Sequence, residues 1–513
     1  MNLSKRYPLI LFLSIVYGCT SLPETEWKLP EKKVGDDPKL LQELITFRNR
    51  EAEKLYSEAE TNPQKSRKEK SAILKKAFGS DPSNILIWIS LGRESGDIQL
   101  LEKAKDILNR KNLKNNSVYA KLLCAFGASY SIEAESHHNS EIYYLKAEEF
   151  FDKAAALAEK LNEKEVLAET FHFLALNFRN YMQAYLPNRT ISERLPKLKK
   201  AVESLEKEYY LLQKTELSSV PQFNRKRSEN LLELALVYRD RWIYETGKPE
   251  ENIEDYKTGN LKTVLNDYKD HKISQMAAER AYAYAKENNF YDIAMSCLEI
   301  IADSWYITDT VEEKNHTLPK GRSIGLTIAN FQLNPKHTDR EKAADCYLKA
   351  ADLAEKNGLI KKSIQYRHQA AMIYSEDMNQ QERKKIFTEN INKLEDIYRQ
   401  SPSSEALNQI YMIKTEMGIS YVEKFEKEEE ILKYYSSVIN DKRFTFHFFL
   451  NNHYHMQIYN NPRRRLAELY AEKGKYCEAL KWQTEYASFL LMFDPEDIRA
   501  DLELKEYQTK CSP

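Results

Sequence analysis

One short interval limits what this chain can fold into: a helical apolar run stops and another starts within residues 77–92, AFGSDPSNILIWISLG. Gly79, Asp81 and Pro82 interrupt the first run, because glycine weakens a helix and proline cannot continue one. The second run leads to Gly92. The stretch predicts a helix end, a tight turn and a new helix, and the question is whether this spacing recurs.

The same order of small and apolar residues does recur along the chain. The first unit contains Ala77, Pro82, Trp88, Leu91, Gly92, Ala104 and Leu108, and a well-matched late unit contains Leu466, Ala467, Tyr470, Gly474, Tyr476 and Ala479. Weaker matches lie between them, at Ala147, Phe151 and Ala154, at Phe171, Leu174, Ala175 and Phe178, at Leu231, Leu234, Ala235 and Tyr238, at Ala294, Leu298 and Ile301, and at Ala343, Tyr347 and Ala350. These intervals resemble the tetratricopeptide repeat (TPR), a helix–turn–helix unit of about 34 residues.

The resemblance covers most of residues 40–510 and implies an α-solenoid of TPR-like helical hairpins. Small residues such as Gly92 let two helices approach, while Trp88, Leu91 and Leu108 are expected to fill the space between them. One hairpin cannot bury its apolar face alone, so neighbours stack and form a broad groove. An irregular helical bundle with coincidental alanines is the competing interpretation.

Composition supports an all-α fold and argues against nucleic acid as a partner. The 513 residues include only 13 glycines, where an average chain of this length has about 36, so few positions can adopt the turns that nucleotide loops and hairpins require. Lys and Arg total 77 and Asp and Glu total 78, for a formal net charge of −1. No excess of positive charge is available to neutralise phosphates.

The N-terminus predicts export and a lipid anchor. Lys5 and Arg6 precede an apolar run over residues 8–16, which is too short to span a bilayer but typical of a signal peptide. The sequence Val-Tyr-Gly-Cys at residues 16–19 resembles the lipobox of bacterial lipoproteins, although Tyr17 stands where the family prefers a small residue. An ordinary signal peptide whose cleavage site lies near a cysteine is the alternative.

The lipoprotein resemblance implies cleavage before Cys19, a diacylglycerol on its sulfur and acylation of its new amino group. Residues 1–18 would then be the signal peptide, 19–37 the lipidated cysteine with a flexible tether, and 38–513 the repeat domain. In this family an aspartate after the cysteine often signals inner-membrane retention. Thr20 stands there instead, so the predicted location is the bacterial envelope, lipid-anchored at the outer membrane.

Several stretches break the helical periodicity. Residues 183–196, 245–262 and 308–340 are polar and contain Pro or Gly. The last is too long for an ordinary connection between helices, and a functional loop and a passive insertion are equally compatible with it.

The cysteines beyond Cys19 divide into two groups. Cys124, Cys297 and Cys346 lie in apolar helical runs and are expected to be buried. Cys477 and Cys511 are equidistant from the turn at residues 494–495. Because equidistant positions of an antiparallel helix pair face each other, a disulfide between Cys477 and Cys511 is predicted.

Motifs for metal, nucleotide or acyl chemistry are missing: the chain contains no HExxH, GxxxxGK[ST], GxSxG or CxxC. The densest histidine group is His447, His453 and His455, but His453 and His455 would point to different sides of a helix. A metal site needs converging ligands, so neither a cofactor nor an enzymatic activity is predicted. A metal-binding protein or enzyme built on these histidines is the third and least supported interpretation.

The groove of the resembling family supplies candidates for ligand contact. Some of its repeats grip a terminal carboxylate with Lys and Asn, whereas Ile89 and Arg93 occupy the corresponding positions here, which argues against that subtype. Arg93, Arg464 and Glu468 remain candidate groove contacts.

The predicted function is a lipid-anchored scaffold of the cell envelope. Its membrane contact is the N-terminal lipid, and its groove binds protein or peptide partners. A surface-exposed lipoprotein that binds extracellular or host ligands is the alternative.

Overall fold

The structure is a computed structural model, and it describes residues 38–62, 65–137, 140–183, 191–246, 261–307, 337–374, 380–444, 448, 461–491 and 498–511. The predicted signal peptide, Cys19 and the tether lie outside these residues. So does most of the 308–340 insertion, whose last residues belong to a helix that begins at His337.

The described chain contains 20 helices of at least one full turn and no strand. Helices α1 to α12 span Pro38–Ile45, Arg50–Thr61, Arg67–Ser80, Ile85–Ser95, Ile98–Arg110, Ser117–Ser136, Glu141–Leu161, Lys164–Gln183, Ile191–Lys214, Asn224–Thr246, Leu261–Glu287 and Tyr291–Ile307. Helices α13 to α20 span His337–Lys356, Ile360–Ile373, Gln380–Gln400, Ser404–Met417, Glu428–Ile439, Pro462–Glu472, Tyr476–Leu491 and Ile498–Cys511. The predicted all-α fold of helical hairpins is confirmed.

The helices form two compact units, the first running from α1 to Ser304 in α12 and the second containing α13 to α20. Both units contain helices of the region that the sequence predicts as one repeat domain, residues 38–513. In the first unit α2 to α11 pack on one another in chain order, α1 packs on α4, and α4 also packs on α6 and α6 on α8. This is the arrangement of stacked hairpins, in which the first helices of successive hairpins form one row. In the second unit α13 to α16 and α18 to α20 pack on their neighbours in chain order.

The turn predicted in residues 77–92 is built by capping side chains. Helix α3 ends at Ser80, and Asn84 caps α4 by accepting a hydrogen bond from the Leu86 N–H at 3.0 Å. Asp81, which is buried, accepts one from the Arg48 N–H at 2.8 Å. A capping side chain supplies a partner that the first turn of a helix lacks, so this turn both starts α4 and holds the segment before α2.

Small residues set the distance between helices. A Cβ added to Gly92 would lie 2.5 Å from Cδ2 of Leu101, and one added to Gly127 would lie 2.6 Å from the Phe151 ring. Both neighbours are completely buried. These contacts confirm the close packing that the repeat spacing predicted at Gly92.

Buried amides and hydroxyls connect successive helices by hydrogen bonds to main-chain carbonyls. Asn177 of α8 donates to Tyr144 O of α7 at 3.1 Å, Asn230 of α10 donates to Leu205 O of α9 at 3.0 Å, and Ser129 of α6 donates to Gly92 O of α4 at 3.2 Å. Apolar contacts have no direction. These polar contacts therefore fix the register at which neighbouring helices pack.

Two details differ from the prediction. Trp88 is half-buried rather than enclosed between helices: its ring packs edge-on against Phe78 at 5.1 Å, and its Nε1 donates to Pro82 O at 2.7 Å.

The stretch 183–196 is not entirely a connection, because α9 begins at Ile191 and includes Pro196. Pro196 is the sixth residue of α9, so the helix lacks the hydrogen bond that an N–H there would donate to the carbonyl four residues earlier.

A search of the described helices for one that combines the length and the low polarity of a bilayer span finds none.

We expect Gly92→Ala to lower the free energy of unfolding by about 1–3 kcal/mol, because the added methyl group overlaps a side chain that cannot move freely. Gly79→Ala in α3 is the matched control, since its Cβ meets no atom within 4 Å, and it should be neutral or stabilise by up to about 1 kcal/mol. Urea denaturation followed by circular dichroism measures both. Equal stabilities of the two variants would contradict the packing at Gly92.

Candidate functional site

A polar cleft of the first unit lies on the row of first helices, α2, α4, α6 and α8. It encloses a cavity of about 30 Å³ lined by Tyr56, Glu60, Leu86, Ile89, Ser90, Arg93, Lys121, Cys124, Ala125 and Glu169. We call these residues the Arg93 groove. The Arg93 side chain of α4 reaches Glu169 of α8 here, across the row of first helices.

Arg93 is the centre of the groove and joins three helices. Its guanidinium donates to Glu60 of α2 at 3.0 Å and to Glu169 of α8 at 2.8 Å, and it also pairs with Glu94 at 2.9 Å. Only 15% of its side chain is exposed. Burial alone lowers the pKa of Arg93, but Glu60, Glu169 and Glu94 outweigh it and hold that pKa well above the usual value. The groove therefore contains a permanent, compensated cation.

Glu169 is the anionic counterpart on the opposite side of the groove. Burial raises its pKa, but the charges of Arg93, Lys226 and Lys121 have the larger combined effect and lower it. Tyr56 of α2 also lines the groove, and burial together with Glu60 raises the pKa of its phenol. The groove thus combines two carboxylates, Glu60 and Glu169, with the cations of Arg93 and Lys121 and the neutral phenol of Tyr56.

The floor of the groove is not reactive. Burial raises the pKa of the Cys124 thiol to about 12, and the charge of Glu169 adds to that effect. Nucleophilic and metal-binding cysteines act as thiolates. Cys124 is therefore a packed side chain, as the sequence predicted, and not a nucleophile.

A second cavity of about 250 Å³ adjoins the groove and shares Lys121 with it. Its other lining residues are Ser117, Asn162, Glu163, Lys164, Glu165, Val166, Glu216 and Leu217. Carboxylates and ammonium groups alternate around it, and Lys164 pairs with Glu216 at 2.5 Å. Together the two cavities form a polar surface with both signs of charge and with Lys121 between them.

A partly buried ion pair links α8 to α9 beside this row. The His172 Nδ1 lies 3.2 Å from Oε2 of Glu208, a carboxylate that also accepts from Asn230 at 2.9 Å. Burial lowers the pKa of His172, but the charge and hydrogen bond of Glu208 outweigh this effect. Together with the charges of Glu233 and Glu229 they raise the pKa to about 9. The imidazole is protonated at neutral pH, so it acts as a structural cation rather than as a general base.

The predicted groove contacts are engaged within the chain. Arg93 lies in the groove with the partners described above. In the second unit Arg464 Nε lies 3.0 Å from Oε1 of Glu468, four residues along α18. Glu468 also pairs with Arg465, which binds Glu423 at 2.6 Å. Arg464 and Glu468 as contacts for a ligand stay predictions.

Sequence reasoning missed Lys121, Glu169 and the other charged members of the Arg93 groove. The available signal was positional: Glu60, Arg93 and Lys121 lie in the first helix of successive hairpins. Charged residues at those positions share one face of the stack, even though their separations in sequence vary.

The structure brings Cys477 and Cys511 together. Their sulfur atoms are bonded at 2.05 Å, and their Cα atoms are 4.8 Å apart across α19 and α20. Cys124, Cys297 and Cys346 are buried, as the sequence predicted.

The remaining site predictions fall outside the described residues. These are the lipidation of Cys19 and the histidines His447, His453 and His455. Among the residues that the structure does describe, no group of three or more His, Cys, Asp or Glu is placed to hold a metal ion.

Comparisons with known proteins add little to this geometry. No protein-family model matches the chain, and no curated protein sequence matches it. Among solved structures the chain is similar to a "Circular tandem repeat protein with novel repeat topology and enhanced subunit contact surfaces", with 12% identity and a TM-score of 0.30, over 90% of this chain and 96% of that chain. A score this low carries no argument, so the interpretation rests on the residues themselves.

Removing the central cation should destabilise the first unit. Arg93→Met leaves Glu60 and Glu169 without their partner in a half-buried site, and we expect a loss of about 2–3 kcal/mol in unfolding free energy. Adding Glu169→Gln should recover part of this loss, because it removes one of the stranded charges.

The control for this experiment is Lys153→Met, since Lys153 and Glu149 form an exposed pair on α7 with 53% and 59% of their side chains accessible. An exposed pair contributes at most about 0.5 kcal/mol. Urea denaturation compares the variants. If Arg93→Met is as stable as Lys153→Met, the groove network does not hold the helices together.

Proposed function

We propose that this protein is a non-enzymatic, lipid-anchored scaffold of the bacterial envelope that binds protein or peptide segments in the Arg93 groove. The observation that carries the proposal is the groove itself. Side chains from α2, α4, α6 and α8 converge on one cleft, and the cleft combines aromatic, aliphatic and charged groups of both signs. Such a surface suits an extended or helical peptide better than a small apolar ligand.

The chemistry of the groove supports binding and not catalysis. Arg93 and Glu169 are committed to ion pairs, the imidazole of His172 is protonated, and the Cys124 thiol is not ionised. A peptide can bind here through main-chain hydrogen bonds and alternating charges. Neither kind of contact requires a general acid or base.

The N-terminal sequence supports the anchor. The basic start, the short apolar run and Cys19 follow the order of a lipoprotein signal. Each buried methylene of an acyl chain contributes about 0.8 kcal/mol, so two or three chains hold a protein on a membrane firmly. Residues 20–37 would then separate the membrane from the first helix.

Anchoring also explains why the groove need not bind its partner tightly. A scaffold confined to a membrane surface meets membrane-bound partners at a raised effective concentration, so a moderate affinity is enough. We place the protein at the outer membrane on the basis of Thr20. Digestion by protease added to intact cells would instead favour the surface-exposed alternative.

Loss of the modified cysteine should release the protein. We expect Cys19→Ala to move most of the protein from the membrane to the soluble fraction, whereas Cys124→Ala should leave the distribution unchanged because that thiol is buried. Fractionation with detection by immunoblotting measures this. Cys19→Ala protein that still sediments with membranes contradicts the anchor but leaves the groove untested, so the groove needs its own experiment.

The groove is tested with a photo-crosslinking residue placed at position 121. Lys121 lines both cavities, so light should attach a partner of defined mass there. The matched control places the same residue at position 153, on α7, which contributes no side chain to either cavity. Labelling at both positions, or at neither, would contradict binding in the groove.

A further inference from the structure

We propose that His368, Met372 and Met412 form a binding site for the soft cation Cu(I), on the face that α14 and α16 of the second unit share. One imidazole nitrogen and two thioether sulfurs supply the ligands. This site is separate from the Arg93 groove and does not depend on the function proposed for that groove.

Two ion pairs place α14 and α16 side by side. Nζ of Lys361 in α14 lies 2.6 Å from Oε2 of Glu405 in α16, and Nε2 of His368 lies 2.5 Å from Oε2 of Glu416. The later residue of α14 meets the later residue of α16, so the two helices run in the same direction. Their side chains therefore form one continuous face.

The three ligands occupy neighbouring turns of this face. Met372 is four residues after His368 on α14, and residues four apart lie on the same side of a helix. Met412 follows Glu405 by about two turns of α16, just as His368 follows Lys361 on α14. Because Lys361 meets Glu405, Met412 lies opposite His368 across the two helices.

The two methionine side chains are accessible from solvent. Met372 and Met412 are 41% and 37% exposed, whereas Met182 and Met295 are buried at 0% and 1%. A methionine side chain is unbranched, flexible and polarisable. The two exposed thioethers can therefore move to meet a soft cation that arrives beside the histidine.

His368 is held in the orientation that a metal ligand needs. Its ring packs edge-on against the buried ring of Phe387, with 5.7 Å between centroids. The Glu416 carboxylate beside Nε2 favours the neutral tautomer with its proton on that nitrogen, so the lone pair is on Nδ1. Nδ1 is enclosed by protein and has no hydrogen-bond partner among the described residues. A metal-binding histidine has the same arrangement, with a carboxylate at the nitrogen that does not bind the metal.

The chemistry of this ligand set selects Cu(I). Thioethers bind soft cations, and imidazole is a good ligand for copper. Zn²⁺ takes imidazole, thiolate and carboxylate ligands, and Mg²⁺ and Ca²⁺ take oxygen ligands. Two thioethers with one imidazole therefore favour Cu(I) over these divalent ions. Binding needs no electron transfer, because the ion enters as Cu(I).

The site is tested with Ag(I), a soft cation of the same charge, as the probe. The full chain is labelled with ¹³C at the methionine methyl groups and titrated in an NMR experiment. We expect Ag(I) to shift the methyl resonances of Met372 and Met412 and to leave those of Met182 and Met295 in place. An excess of Zn²⁺ should not reverse the shifts.

Three variants assign the shifts to the proposed ligands. His368→Gln should raise the Ag(I) concentration that shifts both methyl resonances by at least about tenfold, and Met412→Leu should do the same for the Met372 resonance. Leucine is close to methionine in volume, so Met412→Leu preserves the fold. His137→Gln is the control: it changes an exposed histidine of the first unit and should leave the titration unchanged. Every protein compared contains the same cysteines.

Three results would overturn the proposal. One is that the Met372 and Met412 resonances do not move when Ag(I) is added. Another is that they move at the same Ag(I) concentration in His368→Gln and Met412→Leu as in the unaltered chain. The third is displacement of Ag(I) by Zn²⁺, which would show that the thioethers do not determine which ion binds.

Discussion

The structure depends on how closely the helices approach one another at small residues. A helical hairpin buries only part of its apolar surface, and the rest must be covered by the next hairpin. Gly92 and Gly127 allow this because the side chains of Leu101 and Phe151 occupy the space that a Cβ would fill. Both side chains are completely buried, so a larger residue at either glycine would separate neighbouring helices and reduce the contact on which the stack relies.

Close approach sets the distance between helices, but it does not set their register. The register is set by polar groups inside the stack. The amides of Asn177, Asn230 and Asn390 each donate to a carbonyl of the preceding helix, at 3.1, 3.0 and 3.3 Å. A helix that slides along its neighbour would leave these groups unpaired in the interior, which costs more than the bond itself contributes. Arg93 does the same at longer range, because it reaches α2 and α8 from α4.

This division explains what the sequence could and could not predict. Small and apolar positions repeat at fixed intervals, so the hairpins at Gly92 and Ala467 followed from spacing alone. The half-buried state of Trp88 did not, because periodicity assigns a face but not the distance of its edge from solvent. The partners of Arg93 could not be predicted either: Glu60 and Glu169 are 33 and 76 residues away, and the helix stacking that brings them together has no local signal in the sequence.

The compensated charges of the Arg93 groove also limit how a ligand can bind. A carboxylate that approaches Arg93 must replace Glu60 or Glu169, and exchanging one ion pair for another yields little net free energy. Affinity must therefore come from contact with Tyr56 and Ile89, while the ion pairs determine which charge pattern is accepted. In the membrane-anchored scaffold that we propose, such a site would favour selective and reversible contacts. In that proposal, the ion network that keeps the helices in place would also set the specificity of the surface they form.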